Sequence, residues 1–395
     1  MSLKKLSIAI ISDMHCHYSE SGSKDTYLTS NMLRTDPNNH PVESILRTIK
    51  KEEIKADLTL CPGDFTNKTD VQGFISGWNF TLEINKELEG KEVIATLGNH
   101  DVDSYETFSN YSLEIAKGIK KGFPLKNEDD CDKFWSKGCV FIEADDYRIL
   151  VINSSHYHHN KKSAAGGKVG DDLIDYIDEY LVKQNDDKIN IALAHHHPID
   201  HSRFKLGEED KIINGDALLE VLGKYNFDLF IHGHKHDPLL RYHNFHSSGT
   251  KIPILSSGSF SAISNLGWTS RRNTFHKIDL VKTKGKPSKG RITTWTFIPK
   301  SGWKIVNDDE GFDSYTGFGF DGVLQDMVDK IIAEVGNEQV KNWSDVVKVI
   351  PDIEYLTPIE AKNIEMKLKN AGLILSGKLS QIPEIISNTK AINGN

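Results

Sequence analysis

The sequence predicts an α/β protein built from layered sheets and helices. Short β-branched apolar runs alternate with longer stretches whose apolar residues recur at helical spacing. Hydrophobic residues at 38%, charged residues at 26%, 30 Gly and 12 Pro describe a globular chain and exclude collagen-like or disordered ones. At 395 residues the chain exceeds the roughly 100–200 of an ordinary domain, leaving room for one large α/β domain with an addition. Lys and Arg at 48 against Asp and Glu at 56 give a net charge of −8. That balance supplies no global positive field for nucleic acid or anionic lipid and leaves only a local basic groove open.

Leu6 to Ser12 reads as the first strand. Two lysines precede it, as in a leader segment, but the run Leu6 to Ile11 is shorter than a leader core of roughly 7–15 residues. Pro41 opens a helix that carries Val42, Ile45, Leu46 and Ile49 at helical spacing. Asp57 to Cys61 is a strand, Val71 to Leu88 a helix and Val93 to Leu97 a strand, followed by an irregular aromatic-rich segment over 102–138. Val140 to Ala144 and Arg148 to Asn153 pair around Asp145 and Asp146, and Asp171 to Gln184 forms an amphipathic helix. Further strands are expected over Ile189 to Ala194, Asp228 to Ile231, Ile252 to Ser256, Thr274 to Val281 and Arg291 to Ile298. Beyond about residue 305 the chain reads as short helices without histidine, Ile382 to Ser387 among them. This divides the chain into a domain over 1–304 and a helical appendage over 305–395.

Cys16, Cys61, Cys131 and Cys139 show no CxxC spacing, so neither a disulfide framework nor a thiolate zinc site is expected. No stretch approaches the roughly 18 apolar residues of a membrane span, and a soluble cytoplasmic chain is expected. The 17 histidines are the unusual feature, because many of them cluster. Five segments run from an apolar strand directly into residues that ligate metals. They end at Asp13 and His15, at Asp64, at Asn99, His100 and Asp101, at His195, His196 and His197, and at His234 and His236. In α/β sheets, sites form at the carboxyl ends of strands, so these loops can converge. Carboxylates and imidazoles without thiolates suit Mn, Fe or Zn, and the number of ligands favours two divalent or mixed-valence ions sharing a carboxylate.

The ordered series Asp13-x-His15, Gly63-Asp64, Gly98-Asn99-His100-Asp101, His196-x-Pro198 and Gly233-His234-x-His236 resembles the calcineurin-like metallophosphoesterase superfamily over about residues 6–300. The resemblance implies a four-layer α/β/β/α sandwich followed by a small helical C-terminal region. It places Asp13, His15, Asp64 and His236 around one ion, and Asp64, Asn99, His196 and His234 around the other. His196 is chosen from the triplet because the family's ligand stands two residues before a proline. His195 and His197 then lie behind the ligands or face the substrate, and His156 lies on the same rim. The implied reaction is hydrolysis of a phosphoric ester by a metal-bridging hydroxide, with His100 at the phosphate and leaving oxygen and Asp101 orienting it.

The second motif reads GDFTNK, without the GDxxDRG arrangement of the family's Ser/Thr phosphatases, and resembles the bacterial branch that includes cyclic-nucleotide and glycerophosphodiester phosphodiesterases. The resemblance implies a small phosphate ester as substrate, a diester in preference, over a phosphoprotein. A phosphomonoesterase, nucleotidase or nuclease is the alternative, with nucleic acid disfavoured by the charge, and a scaffold without activity is a third reading. His201 and Arg203 are weaker candidates for phosphate contact. The C-terminal helices have three open uses: capping the domain, joining copies of the chain or recruiting a protein partner.

Overall fold

The computed structural model describes residues 3–19, 24–119, 122–184, 186–201, 209–245, 250–263, 272–306 and 312–393. The first half follows the expected alternation: β1 (Leu3–Ile10), α1 (Pro41–Glu52), β2 (Leu58–Cys61), α2 (Val71–Glu87) and β3 (Glu92–Ala95). Helix α1 begins where expected because Pro41 fits the first turn and the His40 side chain accepts from the Glu43 N–H. The segment over 102–138 is less irregular than expected, since it holds α3 (Glu114–Gly118) and α4 (Glu128–Lys137). Helix α4 is capped by Asn127 but buries only Phe134, so it has no apolar stripe by which a sequence would reveal it.

Strands β4 (Cys139–Glu143) and β5 (Tyr147–Ile152), helix α5 (Asp171–Leu181), β6 (Ile189–Leu193), α6 (Gly215–Lys224) and β7 (Leu229–His232) follow. Then come β8 (Leu239–Asn244), β9 (Lys251–Ser256), β10 (Thr274–Thr283), β11 (Lys289–Ile298), β12 (Gly302–Lys304) and β13 (Tyr315–Phe318). One sheet has the order β12-β11-β10-β1-β2-β3, with β13 also on β11, and the other the order β4-β5-β6-β7-β9-β8. Within them β1-β2-β3 and β5-β6-β7 are parallel. Strands β2, β6 and β7 are buried along their whole length, which is why they read as continuous apolar runs instead of alternating ones.

Ile8, Leu60 and Ile94 of the first sheet share one core with Ile149, Ile191 and Ile231 of the second, so the sheets pack face to face. Ala192, Ile254 and Phe230 turn the other way, onto Leu173, Ile177, Leu218 and Leu222 of α5 and α6. With α1 against β12 and α2 against β3, the result is a four-layer α/β/β/α sandwich. Among the described residues no helix is long and apolar enough to cross a membrane.

The C-terminal region holds α7 (Leu324–Val335), β14 (Val340–Asn342), α8 (Trp343–Val349), α9 (Pro358–Asn370), β15 (Leu373–Leu375) and β16 (Ile385–Asn388). It has its own core of Phe320, Met327, Ile331, Trp343, Ile364, Leu368 and Ile386. The helix expected over Ile382 to Ser387 is corrected: β16 pairs there with β14 and β15, and its buried Ile386 is carried by a sheet. The expected boundary at 304/305 falls between β12 and β13, both of which pair with β11.

Candidate metal centre

The loops leaving β1, β2, β3, β6 and β7 at their carboxyl ends meet between the two sheets. Backbone bonds stitch them together: Asp13 N–H donates to Gly63 O, His15 N–H to Asp64 O (both 3.0 Å) and Gly233 N–H to His195 O (3.1 Å). The His234 N–H donates to Asp13 Oδ1 at 3.0 Å, tying the first loop to the last. Asp13, His15, Asp64, His234 and His236 all have positive φ, between 47° and 71°. Such conformations cost a non-glycine residue about 1–3 kcal/mol each and persist only where the surroundings over-determine them, commonly at ligand sites. Two glycines permit the approach. A Cβ on Gly98 would stand 2.5 Å from Asp64 Cγ, and one on Gly233 would collide with the carboxylate of Asp13.

Two groups of donors result. Asp13, His15, Asp64 and His236 each offer an atom within 4.8 Å of the others, and His195, His196 and His234 do the same. In the first, His15 Nε2 lies 2.9 Å from His236 Nε2 and 3.4 Å from Asp64 Oδ2, and His236 Nε2 lies 3.3 Å from Asp13 Oδ1. In the second, Asn99 Oδ1 lies 3.1 Å from His195 Nε2 and 2.9 Å from His234 Nδ1. Asp64 joins them, because its Oδ2 is also 3.4 Å from His195 Nε2.

These donors fit cations. Asp13 and Asp64 are fully buried, yet both carboxyls are held below the usual carboxylate range. Burial would raise them, and the surrounding histidines outweigh it. Burial would likewise lower His195, but Asp64 lifts it to about 9. In the metal-free protein, protons therefore supply the positive charge the carboxylates demand. Several rings also use their other nitrogen as a metal-bound histidine does, bonding protein while one nitrogen faces the centre. His195 Nδ1 donates to Pro62 O at 3.0 Å, and His234 Nε2 to Asp210 Oδ2 at 3.0 Å.

The histidine triplet spreads over the centre, with both His195 and His196 in the second donor group. His195, expected behind the ligands or facing substrate, is the one that reaches Asp64 and Asn99. His196 belongs to the same cluster, with Nδ1 2.8 Å from Ser154 Oγ and a buried Nε2 that no hydrogen bond occupies and an ion could, while it is the His195 ring that turns towards Asp64. Strand alternation explains this: Ile189, Ile191 and Leu193 face the core between the sheets, Ala192 and Ala194 face the helices, and His195 continues the first series. His197 is buried with Nε2 3.6 Å from Asp210 Oδ1. His156 packs against Gly138 and Tyr157, outside both groups. His201 bonds Asp237, and Arg203 lies outside the described residues.

His100 lies beside the centre, its ring centroid 4.6 Å from that of His15. Burial holds its pKa down to about 3, so the ring is neutral. The Lys68 N–H donates to its Nδ1 at 3.1 Å, which places the remaining proton on Nε2. Asp101 does not orient this ring as expected. Its Oδ2 accepts from the N–H groups of Asp64 (2.7 Å) and Gly98 (2.9 Å), and its Oδ1 from that of Thr66 (3.1 Å). It therefore fixes the backbone that presents Asp64. Asp210, the partner of His234, carried no sequence signal, since it stands in no motif.

Residues 6–238 match the family model for calcineurin-like phosphoesterases, which is more than half of the chain. The chain belongs to the calcineurin-like phosphoesterase family. It therefore carries a metallophosphoesterase domain with a cluster able to hold metal. A second model, wHTH-Calcineurin_assc, matches residues 316–370. Similar solved structures include purple acid phosphatase PPD1 from yellow lupin, at 17% identity and TM-score 0.43, covering 75% of this chain and 52% of that one. This chain thus spans about half the length of the lupin protein. GAP50 of Plasmodium, at 13% identity and TM-score 0.37, covers 76% and 90% of the two chains. A metallophosphoesterase from Sphaerobacter thermophilus, at 12% identity and TM-score 0.27, covers 73% and 87%. No curated protein matches the chain.

Proposed function

We propose that this protein hydrolyses phosphoric esters, diesters in preference, at a centre for two divalent ions. The observation that carries the reading is Asp64, whose Oδ2 stands 3.4 Å from a histidine of each donor group. Asp13, His15, Asp64 and His236 would hold one ion, and Asp64, Asn99, His195, His196 and His234 would supply the donors for the other. Mn, Fe or Zn suit these oxygen and nitrogen donors. When bound, such ions lower the pKa of water and neutralise charge developing on phosphoryl oxygens.

The chain's own residues do the rest. Neutral His100 donates from Nε2 to the phosphate or the leaving oxygen, and the Lys68 amide keeps the proton on that nitrogen. Asp101 and Gly98 hold Asp64 in place. Diesters are favoured because GDFTNK resembles the second motif of the family's bacterial phosphodiesterases and lacks the Ser/Thr-phosphatase arrangement. A scaffold without activity is disfavoured because every donor position is filled and the donors converge. The four free cysteines suit a reducing, cytoplasmic setting.

The test is turnover of bis(p-nitrophenyl) phosphate against p-nitrophenyl phosphate by metal-loaded protein, followed by cyclic nucleotides and single-stranded DNA. Faster diester cleavage supports the proposal. Faster monoester cleavage replaces it with a phosphomonoesterase, and no turnover of any ester overturns it.

A further inference from the structure

Asp210 closes the back of the second donor group. Its Oδ2 accepts from His234 Nε2 at 3.0 Å, while His234 Nδ1 faces Asn99 Oδ1 at 2.9 Å. A neutral imidazole has one N–H, and when Nε2 gives it to a carboxylate, Nδ1 is left as a lone pair. Asp210 thereby selects the tautomer that a cation beside Asn99 requires. Lys235, between the two histidines of the last loop, also contacts Oδ2 and binds Asp210 to that loop. His197 Nε2 stands 3.6 Å from the other oxygen.

We infer that Asp210 is a positioning residue of the proposed reaction: it holds His234 with Nδ1 turned into the centre and so sets the affinity of the second ion. The inference rests on the two-ion reading above. It also gives His197, expected behind the ligands or facing substrate, the first of these places, beside the carboxylate that steers His234. Removing such a carboxylate from a metal-bound histidine weakens metal binding about 10- to 100-fold.

The experiment titrates metal-free wild type, Asp210→Ala and Asp210→Asn with Mn²⁺ by calorimetry and with Co²⁺ by visible absorption. Wild type should take up two ions. Asp210→Ala should bind the first ion as wild type does and the second about 10- to 100-fold more weakly, with the Co²⁺ spectrum altered only in the second equivalent. Asp210→Asn keeps an oxygen to accept from Nε2 and should recover part of the lost affinity. Two ions bound to Asp210→Ala at wild-type affinity would overturn the inference, as would equal weakening of both ions, which marks a general structural loss. Fewer than two ions on wild type instead removes the two-ion reading, and this inference with it.

Discussion

Replacing Gly98 by alanine should damage the proposed centre without unfolding the chain. The backbone at Gly98 has φ −93°, a conformation any residue adopts, so the substitution adds no strain of its own. The new methyl would stand 2.5 Å from Asp64 Cγ and 2.6 Å from the Asp64 backbone nitrogen, inside the 3.0 Å that real Cβ contacts respect. Asp64 must then retreat by roughly 0.5–1 Å, whereas ligand distances tolerate only about 0.2 Å. It cannot retreat freely, because its N–H is fixed to Asp101 and it lies wholly buried. A misplacement of this size at a reacting centre costs about 100-fold in rate, and the overpacking about 1–3 kcal/mol of stability. The assay is metal content and kcat/KM for a diester, with thermal unfolding of the metal-free protein showing that the fold survives. Gly98→Ala protein with a full metal complement and wild-type kcat/KM would refute the argument that Gly98 makes room for a bridging carboxylate.

Three further outcomes follow from the same geometry. His100→Ala should keep its metal but lose about 100- to 10,000-fold in turnover, because the role proposed for His100 is that of proton donor and not ligand; metal content and kcat measured together check this. Asp101→Asn should instead lose stability by about 1–3 kcal/mol and loosen the metal, since an amide cannot accept from all three backbone N–H groups that Asp101 serves. Chemical denaturation and metal content separate it from the His100 variant. Metal uptake should be pH-dependent. His195, raised to about 9 in the metal-free protein, is protonated below that pH and must lose its proton to bind. Apparent affinity should therefore fall about tenfold per pH unit as pH drops below 9, and calorimetry in two buffers should record proton release. A flat profile with no release would contradict it.

Much of this site was legible because its ligands stand at the ends of apolar strands. Strand-to-loop transitions alone bring forward Asp13, His15, Asp64, Asn99, His100, Asp101, the His195 to His197 triplet, His234 and His236 as candidates, and the family resemblance chooses the proposed ligands among them. The triplet was harder, because only the folded strand shows which ring turns towards Asp64. Distance from Pro198 selects His196, whereas alternation carried past the end of β6 turns His195 towards Asp64. Asp101 looked like a partner for His100 because the two are adjacent, yet its oxygens serve two amides on the loop after β2 and one on its own loop, a contact that depends on tertiary folding. Asp210 could not be read at all, since its link to His234 joins segments 24 residues apart with no pattern to announce it. In the fold, α4 and β16 were missed for a similar reason: each buries a single residue, too few for a period to show.

The central claim is that one buried carboxylate joins two ions. It is tested most directly by the metal-to-protein ratio of wild type and Asp64→Ala, measured after metal removal and saturation with Mn²⁺. The account predicts two ions per chain in the wild type, with diester turnover lost on chelation and regained on reloading, and neither ion held tightly by Asp64→Ala. One ion or none in the wild type, or two tightly bound ions in Asp64→Ala, would contradict it.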